Sequence, residues 1–198
     1  HRVDPKIPAE EVAGVMGDLV KEGKIRHWGI SEATEEDIRR AHVVCPLAAV
    51  QNRYSMMARA YESLFPVLEE LGIGFVAFSP LANGLLTGVY DKSSVFAEGD
   101  MRARMPQFSA AAMEENCQLL ALLQNIAEER GATCGQIALA WMLCKKPYIV
   151  AIPGTRKHVR LIENAGAADI ALTSEEVAAI DARLETIPMS AVFGVIQN

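Results

Sequence analysis

Tyr148-Ile149-Val150-Ala151-Ile152-Pro153-Gly154-Thr155-Arg156-Lys157-His158-Val159-Arg160-Leu161-Ile162-Glu163-Asn164 holds the reading on which the fold turns. Residues 148–152 form a short apolar run with no polar alternation, the pattern of a strand buried on both faces in a parallel sheet. Pro153-Gly154 ends it. A helix then starts, with Arg156, Lys157, His158 and Arg160 around its first turn. Helix N-terminal amides favour anions, and cations placed there oppose the macrodipole, so the cluster asks for an anionic ligand such as a phosphate. A solvated basic face is the alternative.

Working outward, the same grammar recurs. Val12, Val15, Met16, Leu19 and Val20 give a helix over 9–22 with Gly23 as its cap, followed by a strand over 25–30 that ends at Gly29-Ile30-Ser31. Thr34, followed by acids at 35–37, predicts a helix start. A second strand over 47–50 stops at Gln51-Asn52. Leu64, Phe65, Val67, Leu68 and Leu71 make a helical stripe before a third strand over 75–78, broken at Ser79-Pro80. The segment 81–108 contains Gly84, Gly88, Gly99 and Pro106 and reads as a long loop of the kind that carries function. Helices are expected at 110–130, 134–145 and 175–185, the last opened by the capping box Thr173-Ser174-Glu175-Glu176. Strands alternating with helices predict an α/β fold with a parallel sheet, whose ligand sites lie at the carboxyl ends of the strands. Ser31, Gln51, Ser79 and Gly154-Thr155 stand at those ends.

The chain has 198 residues and a formal net charge of −6, which argues against a nucleic-acid partner. At 51% hydrophobic it can bury a core as one domain, residues 1–198, yet no apolar run is long enough for a membrane span. Cys45, Cys117, Cys134 and Cys144 lack metal spacing and read as reduced, mostly buried thiols of a cytoplasmic protein, with no metal site expected. Four strands are half of what an eight-stranded barrel needs, and that barrel takes about 250 residues. The chain is therefore an open four-stranded sheet or half of a barrel.

The strand-end motifs, in order, resemble those of the aldo-keto reductase family. Gly29-Ile30-Ser31 is similar to the end of its strand 5, Gln51-Asn52 to that of strand 6, Phe78-Ser79-Pro80-Leu81-Ala82-Asn83-Gly84-Leu85-Leu86-Thr87-Gly88 to strand 7 and its loop, and 152–164 to its C-terminal signature. The resemblance implies a TIM-barrel (β/α)8 fold of which this chain is about the C-terminal half, strands 5–8 with their helices. It implies an NADP(H)-dependent oxidoreductase that reduces an aldehyde or ketone to an alcohol. By resemblance, Ser31 and Gln51 hydrogen-bond the nicotinamide carboxamide and Phe78 lies near its stacking position, although a strand Phe is by default core. Ser79, Leu81, Asn83 and Gly84 line the pyrophosphate; Gly154, Thr155, Lys157 and Arg160 take the 2′-phosphate; Glu163 and Asn164 contact the adenine. Glu32 stands where the family often has Asn, and Gly154 where it often has Lys.

His1-Arg2-Val3-Asp4-Pro5 is similar to the family's strand-4 end, which makes His1 the catalytic histidine that orients the carbonyl; by itself a terminal His is a solvated residue. The family's Tyr acid, with its Lys and Asp, follows strands 2 and 3, and Tyr54, Tyr61, Tyr90 and Tyr148 stand in other elements. The chain thus reads as half an enzyme, paired with an N-terminal half or as a homodimer covering the open edge. The competing reading is a catalytically incomplete NADP-binding module. A copper site on the N-terminal His is a third, for which no second His is at hand. Met56-Met57 is a candidate cavity lining or gap filler.

Overall fold

The structure is a computed structural model and describes residues 1–193. Its elements run α1 (Ala9–Lys21), β1 (Gly29–Ser31), α2 (Glu35–Val44), β2 (Ala49–Arg53), α3 (Phe65–Leu71), β3 (Gly74–Phe78), α4 (Ala110–Glu115), α5 (Cys117–Arg130), α6 (Cys134–Lys145), β4 (Ile149–Ala151), α7 (His158–Ala165) and α8 (Ser174–Thr186). The four strands pair in sequence order and all in parallel. Helix starts are fixed by side chains: Thr34, Thr133 and Thr173 each cap, with Asp37, Gln136 and Glu176 returning the bond.

The register aligns Ser31, Gln51, Val76 and Val150 across the sheet, and two residues further pairs Arg53 with Phe78. Side chains alternate across this surface. Ile30, Val50, Phe75, Ala77 and Ile149 are buried in the helix-side core, with Leu68, Leu119, Ile137 and Trp141. In that core Tyr54 stacks on Trp141 at 5.5 Å and meets Phe65 and Phe75 edge-on. The opposite face is open, and Val150 is 52% exposed. The expectation of strands buried on both faces is corrected here, because the packed core covers only residues of one parity.

Several boundaries also move. Strand β1 begins at Gly29 rather than at 25, because the amides of Lys24 and Ile25 bond the Leu19 carbonyl and tie that stretch to the end of α1. Strand β2 runs on through the polar Gln51-Asn52-Arg53, held by pairing to Val76-Ala77-Phe78. The helix expected over 110–130 breaks at Asn116, a buried side chain that donates to Ser190 Oγ and accepts from Ser190 N, both at 2.9 Å. The segment 81–108 contains three short 3-10 turns (Ala82–Thr87, Met101–Arg104, Pro106–Phe108). Only Cys45 and Cys134 are buried; Cys117 and Cys144 are exposed, which corrects the expectation of mostly buried thiols. Met56 is core, 1% exposed. No helix among the described residues is long and apolar enough to cross a membrane.

Two glycines should answer to alanine with opposite signs. A Cβ on Gly29 would stand 2.5 Å from the Ala49 carbonyl oxygen, backbone that is itself locked in the sheet. Gly29→Ala is expected to cost about 1–3 kcal/mol, as overpacking does. Gly14, inside α1, has nothing within 4 Å of such a Cβ. Gly14→Ala is expected to gain up to about 1 kcal/mol from helix propensity. Urea denaturation of the two variants checks both signs.

Candidate functional site

The carboxyl edge of the sheet is where the backbone leaves its ordinary conformations. All four non-glycine residues with positive φ among those described follow β1 or β3: Glu32 (50°), Ser79 (55°), Ala82 (48°) and Asn83 (61°). Gly84 continues the run at 102°. Such backbone costs energy and concentrates where a ligand is received. Bonds hold it in place: Gln107 is fully buried, and its Nε2 donates to Ala82 O (3.4 Å) and Asn83 Oδ1 (3.3 Å), while its Oε1 accepts from Phe193 N at 2.9 Å.

Beside this turn lies a cleft of ≈ 680 Å³, within the range of about 300–1,000 Å³ that suits a small-molecule site. It brings together ten of the residues singled out in the sequence. Ser79, Leu81, Asn83 and Gly84 form one wall; Gly154, Thr155, Lys157, Arg160, Glu163 and Asn164 form the other. Asp100 and Arg102 close it from the long segment. Helix α7 opens at Lys157 with no side chain capping it, and its own amide donates to Thr155 Oγ1 at 3.1 Å. Arg160 Nη1 meets Glu163 Oε2 at 2.5 Å, and Glu163 Oε1 accepts from Thr133 Oγ1 at 2.9 Å. Glu163 thus aims the arginine, and a guanidinium with five donors keeps further N–H groups for an anion. The chemistry of this cleft, with Arg102, Arg156, Lys157, Arg160 and strained backbone beside open glycine at 154, fits a phosphorylated cofactor.

Ser31, Gln51, Phe78 and His1 do not line that cleft. Ser31 and Gln51 face each other in register, and Phe78 is two residues past Val76 on the same face. Arg2 makes an isolated parallel bridge to Ser31, so the chain start lies along β1 and brings exposed His1 near that strand's carboxyl end. Phe78 is half-buried and not core: the guanidinium of Arg53 sits 4.9 Å from its ring centroid. Glu32 pairs with Arg2, and its amide donates to Asn52 Oδ1 at 2.8 Å. Burial pushes the Arg53 guanidinium down from its ordinary pKa, with the Glu32 carboxylate opposing that and the Arg2 charge adding to it.

Sequence reasoning passed over Gln107, Asn116 and Arg53 and gave Asn52 no role beyond the strand-end pair; all are buried polar residues. The polar run Gln51-Asn52-Arg53 at a strand end was the available signal for two of them. Tyr90 lines the cleft, whereas two other tyrosines are bonded to carboxylates away from it. Tyr54 donates to Glu62 Oε1 at 2.6 Å, and Tyr148 donates to Glu69 Oε1 at 2.9 Å. Burial raises the pKa of Tyr54, Tyr61 and Tyr148, with the nearby carboxylates adding to it. Tyr90 packs against Phe96 and Phe108, with Arg102 over its ring at 4.9 Å.

A model of the Aldo/keto reductase family matches residues 1–185. The chain is similar to aldo-keto reductase str7 of Strobilurus tenacellus, 46% identical over 184 residues, which are 91% of this chain and 55% of that protein. It is 37% identical over 195 residues to a probable aldo-keto reductase 1 of Glycine max, covering 98% of this chain and 55% of that one. Among solved structures, the glycerol dehydrogenase of Gluconobacter oxydans superposes with a TM-score of 0.87 at 28% identity, over 100% of this chain and 61% of its own. An aldo-keto reductase from Klebsiella pneumoniae in complex with NADPH gives 0.67 at 29% identity, over 93% and 56%. The chain spans about half the length of the curated relatives it matches. The family match begins at residue 1, so the match itself does not bear out the expectation that this is the C-terminal half.

Asp100, on the cleft wall, is held by Arg102. The Arg102 guanidinium, with Nε 2.9 Å from Oδ1, and the Arg102 amide hold the Asp100 carboxyl at about 2, below its ordinary 3.8. A depressed carboxylate contributes its stabilisation above the unfolded value and loses it as pH falls towards the folded one. Asp100→Asn is therefore expected to speed amide exchange around 100–105 at a pH of about 5, with the difference from the parent closing as pH falls towards about 2. Hydrogen exchange followed by mass spectrometry reads it, and a difference that widens on acidification contradicts it.

Proposed function

This chain belongs to the aldo/keto reductase family, and from that premise we propose that it is the C-terminal half of one (β/α)8 barrel domain, strands 5–8, and supplies the NADP(H)-binding part of a cytoplasmic carbonyl reductase. The observation that carries this is the cleft, which collects ten residues from two separate strand ends around Arg160 and Lys157. That is the arrangement a long, multiply anionic dinucleotide needs, with main-chain nitrogens and cations spaced along one edge. Support also comes from an NADPH complex among the structural neighbours.

In this reading Arg160 and Lys157, with Thr155 and Gly154, hold the 2′-phosphate. Glu163 keeps the guanidinium aimed, and Asn164 faces the adenine side. The Ser79–Gly84 turn offers its strained backbone to the pyrophosphate. Ser31 and Gln51, in register, hydrogen-bond the carboxamide and fix which face of the ring meets the substrate, while Phe78 supports the ring. NADPH, when bound, supplies the hydride. His1 orients and polarises the carbonyl oxygen of a small aldehyde or ketone. The proton for the resulting alcohol would come from an upstream tyrosine, contributed by an N-terminal half.

A second reading, a module that binds NADP(H) without turning over carbonyls, is favoured by one observation: Tyr54 and Tyr148 donate to carboxylates and have raised pKa values, the opposite of what a proton donor near neutral pH needs. Turnover of benzaldehyde by the purified protein separates the two.

Both readings require the phosphate pocket. NADPH fluorescence titration of the protein should show saturable binding. Arg160→Ala should weaken NADPH by about 10–100-fold, the worth of a charge-assisted hydrogen bond. It should leave NADH within about 3-fold, since that cofactor lacks the phosphate the arginine serves. An equal loss for both cofactors would remove Arg160 from the pocket.

A further inference from the structure

Three amides stand in line behind the cleft, one from the backbone and two from side chains. The Phe193 N–H donates to Gln107 Oε1 at 2.9 Å. Gln107 Nε2 in turn donates to Asn83 Oδ1 at 3.3 Å and to Ala82 O at 3.4 Å. Ser79 Oγ also donates to Asn83 Oδ1, at 3.4 Å. Gln107 is fully buried, whereas Asn83 is exposed on the cleft wall.

The polarity of this line is fixed at its far end. A carboxamide can turn over and exchange its oxygen for its nitrogen, so its partners decide which end points where. A backbone N–H cannot exchange, because it only donates. The Phe193 amide therefore holds the oxygen end of Gln107 and leaves the NH2 end for the turn. That NH2 and the Ser79 hydroxyl hold the oxygen end of Asn83, and the end that remains is Nδ2 with its two donors. Whatever meets that end must accept. Every link is a bond made within this chain, and none depends on a group at the edges or the open face of the sheet.

We propose that the Phe193 backbone amide, acting through Gln107, turns Asn83 Nδ2 towards the cleft as a donor for the pyrophosphate of the cofactor. Gln107 is then a positioning residue, and the Phe193 amide contributes to anion binding without lining the cleft. That the anion belongs to NADP(H) rests on the function proposed above; the demand of Asn83 for an acceptor does not. Hydrogen bonds in a chain polarise one another, and linkage is reciprocal. An anion at Asn83 therefore strengthens the bonds behind it and slows exchange of the Phe193 amide.

The probe is inorganic pyrophosphate, titrated calorimetrically into the full chain, with NADPH and NADH measured beside it. Gln107→Glu keeps an acceptor for Phe193 but offers Asn83 no donor, so Asn83 turns its oxygen to the cleft. It is expected to weaken pyrophosphate by about 10–100-fold, the worth of a charge-assisted hydrogen bond. NADPH and NADH should lose affinity about equally, unlike in Arg160→Ala, because both carry the pyrophosphate. A second pair leaves Gln107 in place: Phe193→Pro, which takes the N–H away, should bind pyrophosphate about 3–10-fold more weakly than Phe193→Ala, which keeps it. In an Asn83→Ala background both effects should shrink to within about 2-fold, since the donor they aim is gone. Losses that persist there make Gln107 a general support of the fold and overturn the proposal. So does a parent that binds no pyrophosphate, or a Phe193 amide whose hydrogen exchange pyrophosphate does not slow. Failure to bind NADPH by a parent that binds pyrophosphate counts against the proposed function alone.

Discussion

The parallel pairing of four strands in sequence order is the constraint from which the rest follows. Parallel strands in that order deliver every carboxyl end to one edge. Because the register runs Ser31, Gln51, Val76, Val150 in line, the loops after β3 and β4 leave the sheet side by side. The cleft is the space between them. A slip of one residue in β2 would turn Gln51 into the core and Val50 into the open, so the buried valine and its fully buried neighbours Phe75 and Ala77 police the site from behind.

On that scaffold, strain and buried polarity are spent in one place. The positive-φ residues after β3 persist because Gln107 ties both Ala82 and Asn83. Gln107 is in turn bonded to the amide of Phe193, so a turn at the sheet edge, the long segment and the C-terminal tail share one buried side chain. Asn116 joins the same tail through Ser190. Through Gln107 the described part of the tail is tied to the turn beside the cleft, and such a buried amide over-determines a geometry that local backbone preference opposes.

What was legible in the sequence follows from the range of each interaction. Strand and helix order, the Thr34 N-cap and the Thr173 capping box are local statements, each read from a few consecutive residues; the Thr133 box is equally local and was passed over. The ten cleft residues were legible because they sit in two continuous strings, 78–84 and 152–164. The break at Asn116 was not, since its cause is Ser190, far along the chain. The open face of the sheet was not legible either: short apolar strands look alike whether covered on one side or both, and Val150 carries nothing that marks it as exposed. Arg53 escaped because an arginine at a strand end reads as a solvated charge; only packing shows that it is enclosed and without a partner.

The two arginines illustrate how placement, not residue type, sets what a cation can do. Arg160 is 41% exposed and already shares its charge with Glu163, so water and a carboxylate stabilise it before any ligand arrives. An anion there must displace part of that arrangement, and the gain is moderate, salt-dependent and suited to a group that binds and leaves repeatedly. Arg53 is shielded and lies over the Phe78 ring, with no acceptor for its Nε and Nη1 among the described residues. One cation stands on an open edge beside water and a carboxylate; the other is enclosed beside an aromatic ring. An edge of one parallel sheet can hold both because β2 and β4 end in different surroundings, with β3 and its Phe78 between them.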